Sequence, residues 1–172
     1  GDLSGADNPA TVTMTASRTV TAVFLQLFSL NLTVNGDGNV ALDPPGGVYA
    51  DGTTVTLTAT PPDDQHFFAV WTQDLASAVN PATIVMNADK SVTAIFGIYY
   101  TLDVQVEGEG TVTVSPDLPK YEDGTVVTLT ANSKPGWRFQ RWEADDLCCG
   151  YGTASVSVDA DKTVVAVFSG PD

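Results

Sequence analysis

The stretch TTVTLTAT, residues 53–60, decides the fold class of this chain. Its apolar side chains Val55, Leu57 and Ala59 alternate with threonines, which is the period-two pattern of a β-strand with one buried and one solvated face. The stretch TVVTLTAN, residues 125–132, carries the same alternation. Because Val and Thr also favour extended backbone, both segments are predicted to be strands.

These two strands belong to an internal repeat that spans the chain at a shift of 72 residues, which carries Val55 onto Val127. The other shared positions of the first copy are Gly36, Gly38, Val40, Pro44, Tyr49, Gly52, Ala88, Asp89, Lys90 and Phe96. They recur at Gly108, Gly110, Val112, Pro116, Tyr121, Gly124, Ala160, Asp161, Lys162 and Phe168. The aromatic pair Phe68 and Trp71 returns at a shift of 71, as Phe139 and Trp142. Such self-similarity is the signature of tandem structural units.

The repeat also reaches backwards to the start of the chain. Asp2, residues 8–11 and Phe24 match Asp74, residues 80–83 and Phe96. We therefore expect residues 1–24 to be the C-terminal part of an incomplete repeat, residues 25–96 to be one complete repeat, and residues 97–172 to be a second with a short tail.

Each repeat is predicted to be all-β, with five or six short and mainly antiparallel strands. No stretch combines helix caps with the apolar spacing of an amphipathic helix. The glycine-containing turns at 35–38 and 107–110 lie between alternating segments, a pattern typical of β-hairpins. The fold class is therefore a tandem of small β modules.

Composition excludes several function classes. The formal net charge of −14, from 7 Lys and Arg against 21 Asp and Glu, disfavours a nucleic-acid partner, because phosphate contacts need a basic surface. No apolar run is long enough for a membrane span, so no membrane insertion is expected. One His and two Cys supply little for a zinc site or a His-based triad. We expect no enzyme activity, no cofactor and no metal, and we interpret the acidic turns as solvated surface rather than as calcium sites.

The ordered motifs L-x-V-x-G-x-G-x-V, V-x-L-x-A, F-x-x-W, D-L-S-G, N-P-A-T and D-K-x-V-x-A-x-F resemble the divergent InlB B-repeat. D-L-S-G is intact at residues 2–5, whereas residues 74–77 read DLAS and residues 146–149 read DLCC. The last repeat also lacks the Asn-Pro pair. The resemblance implies a module of extracellular bacterial proteins, and it leaves open a β-grasp-like α+β alternative with one helix per repeat.

The resemblance implies a stalk, spacer or adhesin segment that is extracellular or at the cell surface. Its partners would be neighbouring repeats in the parent chain and a cell-wall or host glycan or surface protein. It carries over no catalytic residue. The alternative function is a carbohydrate-binding module that uses exposed Trp and Tyr side chains.

Four aromatic residues are candidates for stacking on a sugar ring: Trp71, Trp142, Tyr49 and Tyr121. In an extended strand, residues three apart face opposite sides, so one of Phe68 and Trp71 would enter the core and the other would lie outside. The competing interpretation is that a bulge brings both rings into the core, and this interpretation is favoured because the pair recurs.

The adjacent Cys148 and Cys149 occur only in the last repeat. Adjacent cysteines can close a strained ring, cross-link chains or stay free. A disulfide is therefore one alternative, and a local loop substitution without a role is the favoured one.

Overall fold

The computed structural model describes residues 1–144, the backbone of residues 148–149, and residues 151–171. The strands of the first repeat are β1 (Leu27–Asn35), β2 (Asn39–Asp43), β3 (Val48–Ala50), β4 (Thr53–Thr60), β5 (His66–Gln73), β6 (Ala82–Met86) and β7 (Lys90–Tyr100). Those of the second are β8 (Leu102–Glu107), β9 (Gly110–Ser115), β10 (Tyr121–Glu122), β11 (Thr125–Ser133), β12 (Arg138–Glu143), β13 (Cys148–Cys149), β14 (Thr153–Val158) and β15 (Lys162–Ser169).

The all-β prediction is confirmed, and the described residues contain no helix of the kind that a β-grasp would need. Each repeat has more strands than the expected five or six, because β3, β10 and β13 are pairings of only two or three residues. Such short pairings are too brief to leave an alternating pattern in the sequence.

Each repeat is built from two sheets. In the first repeat, one sheet has the order β3-β1-β7-β5 and the other has the order β2-β4-β6. In the second, the orders are β12-β15-β8 and β13-β14-β11-β9. The short β10 pairs with the end of β7, just as β3 pairs with the start of β1.

The expected hairpins are wrong. β1 and β2 lie in different sheets, as do β8 and β9. At the first crossing Gly36 has a φ of 86°, and a side chain on Gly38 would collide with the ring of Phe96. The Gly-x-Gly motif is therefore a crossover between sheets, packed on the phenylalanine that ends the repeat. Sequence alone cannot distinguish this turn from a hairpin because both need glycine.

The first and last long strands of each repeat pair in parallel, in contrast to the antiparallel pairs elsewhere. Leu32 lies opposite Val92 in the β1–β7 pair, and Val104 lies opposite Val164 in the β8–β15 pair. A parallel pair needs a long connection. Here the rest of the repeat supplies it, so the ends of one repeat are fastened to each other.

The core of the first repeat lies between its two sheets. Its buried side chains are Leu30, Tyr49, Val55, Leu57, Ala59, Trp71, Ala82, Ile84, Met86, Val92, Ala94 and Phe96. The second repeat buries Tyr121, Val127, Leu129, Val156, Val158 and Val164 in one cluster and Phe139, Ala166 and Phe168 in another. The alternating residues of β4 and β11 therefore face inward as predicted.

The aspartate of the shared Ala-Asp-Lys motif hydrogen-bonds a residue near the start of each repeat. Asp89 Oδ1 accepts hydrogen bonds from the backbone N–H and the hydroxyl of Ser29, at 2.7 and 2.9 Å. Asp161 Oδ1 does the same for Thr101, at 2.8 and 2.9 Å. These bonds hold the pKa of each aspartate below its ordinary value. The backbone N–H makes the larger contribution to this lowering, and the hydroxyl makes the smaller one.

We expect the protein to lose stability as the pH falls below about 4, the ordinary pKa of an aspartate. A carboxyl group with a lowered pKa in the folded state stabilises the fold above its unfolded pKa, and this contribution disappears as the pH falls through the folded pKa. Thermal melts followed by circular dichroism between neutral and acidic pH will measure the decline.

The double variant Asp89→Asn/Asp161→Asn tests the assignment. We expect it to melt at a lower temperature at neutral pH and to show a shallower acid decline. The control is Asp117→Asn, an exposed loop position that should keep the wild-type profile. An unchanged acid decline in the double variant would contradict the role of these two carboxylates.

Residues 1–26 form no strand, although part of the repeat's local geometry persists there. Asp2 donates its N–H to Thr19 O and accepts the N–H of Thr19, both within 2.9 Å. Asp74 and Ser91 make the same two bonds in the first complete repeat. Phe24, by contrast, is 91% exposed, while its counterpart Phe96 is 6% exposed. The segment therefore keeps the turn contacts of a repeat without the sheets that would cover its apolar side chains.

Candidate functional site

Trp71 is not a sugar platform in this fold. Its side chain is 0% exposed and packs against Phe68, with ring centroids 4.8 Å apart. The indole N–H donates to Val79 O at 3.1 Å. A register shift in the β5–β7 pair, between Phe68 and Val70, turns both aromatic rings of F-x-x-W towards the same core. The structure thus places Trp71 in the core, as the favoured interpretation of the pair had it, and neither face of the indole is open to a ligand.

Tyr49 and Tyr121 are also buried and cannot stack on a sugar. The Tyr49 hydroxyl donates to Pro44 O at 3.0 Å, and the Tyr121 hydroxyl donates to Pro116 O at 3.1 Å. Burial raises the pKa of Tyr49. The shared proline-to-tyrosine spacing is thus a structural clamp, and it closes the loop that leads into β3 or β10.

Trp142 is only partly buried, and it packs on Phe139 with ring centroids 5.0 Å apart. Its indole nitrogen is shielded from solvent and has no hydrogen-bond partner among the described residues. Trp71 bonds to Val79 at the equivalent place. The second repeat therefore departs from the first along the segment that follows this tryptophan. Trp142 also packs against both buried clusters of the second repeat, so its indole is part of the core packing.

Cys148 and Cys149 form β13, which pairs with β14. Their side chains lie outside the described residues, so the disulfide stays a prediction. Within the described ranges, no group of three or more His, Cys, Asp or Glu side chains is arranged to hold a metal ion.

The second repeat contains a groove that the sequence patterns did not indicate. It has a volume of about 380 Å³. Its lining residues are Thr130, Ala131, Ser133, Trp137, Arg138, Phe139, Tyr151, Gly152 and Thr153. The available sequence signal was the divergence of the last repeat, which has Trp137 where the first has His66 and which lacks the Asn-Pro pair.

The second feature with functional meaning is the joint between the repeats. β7 runs without interruption from the first repeat to Tyr100, so the expected division at 96/97 falls inside a continuous strand. Phe67 stacks on Tyr99, with ring centroids 4.3 Å apart. Gly97 leaves room for this ring, because a side chain there would collide with Phe67.

An ion pair also crosses the joint. Lys120 Nζ, from the second repeat, donates to the backbone oxygen of Asp64 at 2.6 Å and to its carboxylate at 3.0 Å. Two backbone hydrogen bonds add to it, from Tyr99 to Gln65 O and from Asp123 to Ile98 O. Strand continuity, ring stacking and an ion pair therefore restrict the joint together.

Comparison with known proteins identifies the repeats. The family model of the divergent InlB B-repeat domain matches residues 29–98 and again residues 100–171. The chain belongs to the divergent InlB B-repeat family. No curated protein and no solved structure matches it.

The motifs shared by the two B-repeats have structural roles. The Gly-x-Gly turn carries the chain between sheets, the tyrosine clamps a proline carbonyl, and the aspartate of Asp-Lys holds the first strand. Within the described part of the chain, no helix has the length and apolarity to span a bilayer. The common B-repeat pattern thus encodes a scaffold, while the residues that line the groove all belong to the second repeat.

Proposed function

We propose that this chain is a structural spacer, a semi-rigid segment of a longer bacterial surface or secreted protein that holds other domains apart. The observation that carries the proposal is the uninterrupted β7, which ends one B-repeat and begins the next. A continuous strand cannot swivel as a glycine- or serine-rich linker does. In tandem repeats joined in this way, the orientation of one repeat restricts the orientation of the next.

The side chains at the joint support the same role. The Phe67–Tyr99 stack and the Lys120–Asp64 pair each join one repeat to the other. The first repeat has Val48 where the second has Lys120, so the ion pair is specific to this joint. Exposed ion pairs contribute little stability, about 0–1 kcal/mol. We therefore propose that this pair fixes the relative orientation of the two repeats and adds little to the free energy of unfolding.

The proposal includes a non-enzymatic role outside the cell. The motifs that recur between the repeats pack the core and hold the loops and the first strand in place. A segment that only spaces other domains needs no nucleophile or general base. The net charge of −14 suits a segment that stays solvated and does not adhere to anionic surfaces.

Nuclear magnetic resonance relaxation and small-angle scattering will test the spacer. We expect the amides of both repeats to report one anisotropic tumbling tensor, and the scattering profile to be that of an elongated particle. The variant Phe67→Ala/Lys120→Ala keeps the continuous strand, so its repeats should stay linked but show larger relative motion, while each keeps its own amide spectrum.

The matched control is Val48→Ala, an exposed side chain at the first-repeat counterpart of Lys120. It should leave the shared tumbling unchanged. Independent tumbling of the repeats in the wild-type protein would overturn the proposal of a semi-rigid spacer.

A further inference from the structure

We propose that the groove of the second repeat binds a neutral, β-1,4-linked oligosaccharide of gluco-configured rings. The groove lies beside Ala131 and is bounded by Trp137 and Tyr151. It is distinct from the predicted positions at Trp71, Tyr49 and Tyr121, which are buried.

A difference between the two repeats opens this groove. In the first repeat the Asn80 side chain accepts the N–H of Ala59 at 2.9 Å and donates to its carbonyl at 2.7 Å. The second repeat has Gly152 at the equivalent position, and there Ala131 donates to the backbone oxygen of Gly152 at 2.8 Å. The same edge is thus closed by a side chain in the first repeat and by the backbone in the second, where a side chain added at Gly152 would meet no atom within 4 Å.

The lining matches the two kinds of surface on a sugar. Phe139 forms an apolar floor, and Tyr151, 89% exposed, stands edge-on to it with its hydroxyl 3.5 Å from Phe139 O. Aromatic side chains pack well against the C–H faces of pyranose rings, and their polar atoms stay in water. The polar groups on the lining belong to Thr130, Ser133, Arg138 and Thr153. These groups can donate to or accept from ring hydroxyls.

The tryptophan of the groove is held in place before any ligand binds. Trp137 packs over two glycines, since a side chain at Gly108 would come within 2.8 Å of its ring and one at Gly170 within 3.3 Å. A fixed aromatic platform loses little conformational entropy on binding. The first repeat has His66 instead, which is turned towards Asp63 at 2.6 Å. That repeat therefore serves as an internal control without a platform.

Charge and shape select the class of sugar. The net charge of −14 disfavours long sulfated and uronic polysaccharides, and the single positive charge of Arg138 on the lining is offset by this field, so a neutral chain is favoured. Rings whose substituents are all equatorial present flat C–H faces to an aromatic platform, and a β-1,4 linkage keeps successive rings extended. The volume of about 380 Å³ lies in the lower part of the usual range for ligand sites, ~300–1,000 Å³, and fits a short stretch of such a chain.

Titration with cellohexaose and chitohexaose, followed by tryptophan fluorescence and by amide chemical shifts, tests the proposal. We expect at least one of these neutral hexasaccharides to shift the emission and to perturb amides around Thr130, Trp137 and Gly152. The equivalent amides of the first repeat should not move. Heparin, as the sulfated probe, should give no response at the groove.

Two variants test the groove without removing its buried floor. Tyr151→Ala changes an exposed side chain and should weaken binding about tenfold. Gly152→Asn should abolish binding by filling the groove, and its φ of 77° is one that asparagine tolerates. The control is His66→Trp, which adds an aromatic ring to the repeat in which the Asn80 side chain occupies the equivalent edge, and it should create no site.

Three outcomes would overturn the proposal. They are the absence of a response to both neutral hexasaccharides at millimolar concentration, a response only to heparin, and shifts that map away from the groove. Unchanged melting temperatures of Tyr151→Ala and Gly152→Asn will confirm that lost binding is not lost folding.

Discussion

Replacing Trp71 with alanine is expected to unfold the first repeat while the second stays folded. The indole is 0% exposed, and large aromatic-to-alanine changes in a core cost about 3–5 kcal/mol. A core of about 70 residues typically supplies only ~3–5 kcal/mol in total. The loss is therefore as large as the whole stability of the unit that contains it.

Hydrogen exchange followed by mass spectrometry measures this result repeat by repeat. Peptides from β4, β5 and β6 should lose their protection in Trp71→Ala, and peptides from β11 and β14 should keep theirs. Phe24→Ala is the control, because it removes a large aromatic side chain that is exposed. Full protection of β4 in Trp71→Ala would show that the indole is not a central part of the core.

Replacing Gly36 with alanine should destabilise the first repeat nearly as strongly. Its φ of 86° lies in the left-handed region, where a residue with a side chain is strained by about 1–3 kcal/mol. The new methyl group would also lie 2.5 Å from the backbone oxygen of Phe96, so the turn or β7 must shift. Gly108→Ala should affect the second repeat in the same way, since its methyl group would collide with Phe168 O.

Urea denaturation of each variant will give the change in the free energy of unfolding. Gly47→Ala is the matched control, because that glycine is outside the left-handed region and its added methyl group would lie 3.9 Å from the nearest atom. Gly47→Ala should change stability by less than about 0.5 kcal/mol, as surface substitutions usually do. Equal midpoints for Gly36→Ala and Gly47→Ala would contradict the close packing of the crossover on Phe96.

Both predictions depend on residues that the sequence marked as shared but whose roles it could not assign. The recurrence of Trp71 and Trp142 indicated importance, and the expected choice lay between a core position and a sugar platform. The structure decides for the core in Trp71, because a shift in strand register turns the indole inward. Register is set by contacts between distant segments, and a single strand does not contain that information.

The candidate groove was predictable only in part. The loss of the Asn-Pro pair and the change from His66 to Trp137 are visible in the sequence. Their combined effect is not visible, because Trp137 and Tyr151 line one groove only where β11, β12 and β14 have been brought together. The motif differences could have identified the second repeat as the divergent one, but not the wall, floor and rim of a site.

The sequence by itself determined the repeat, the inward face of each long strand and the absence of helical periodicity, because all three are written in local spacing. The period-two alternation of Val55, Leu57 and Ala59 is sufficient to define a strand and its buried face. Only the tertiary structure decided that Gly36–Gly38 crosses between sheets, that β1 and β7 run parallel, and that β7 continues into the next repeat. These features are pairings between residues far apart in the chain, and their energy arises only when both partners are in place.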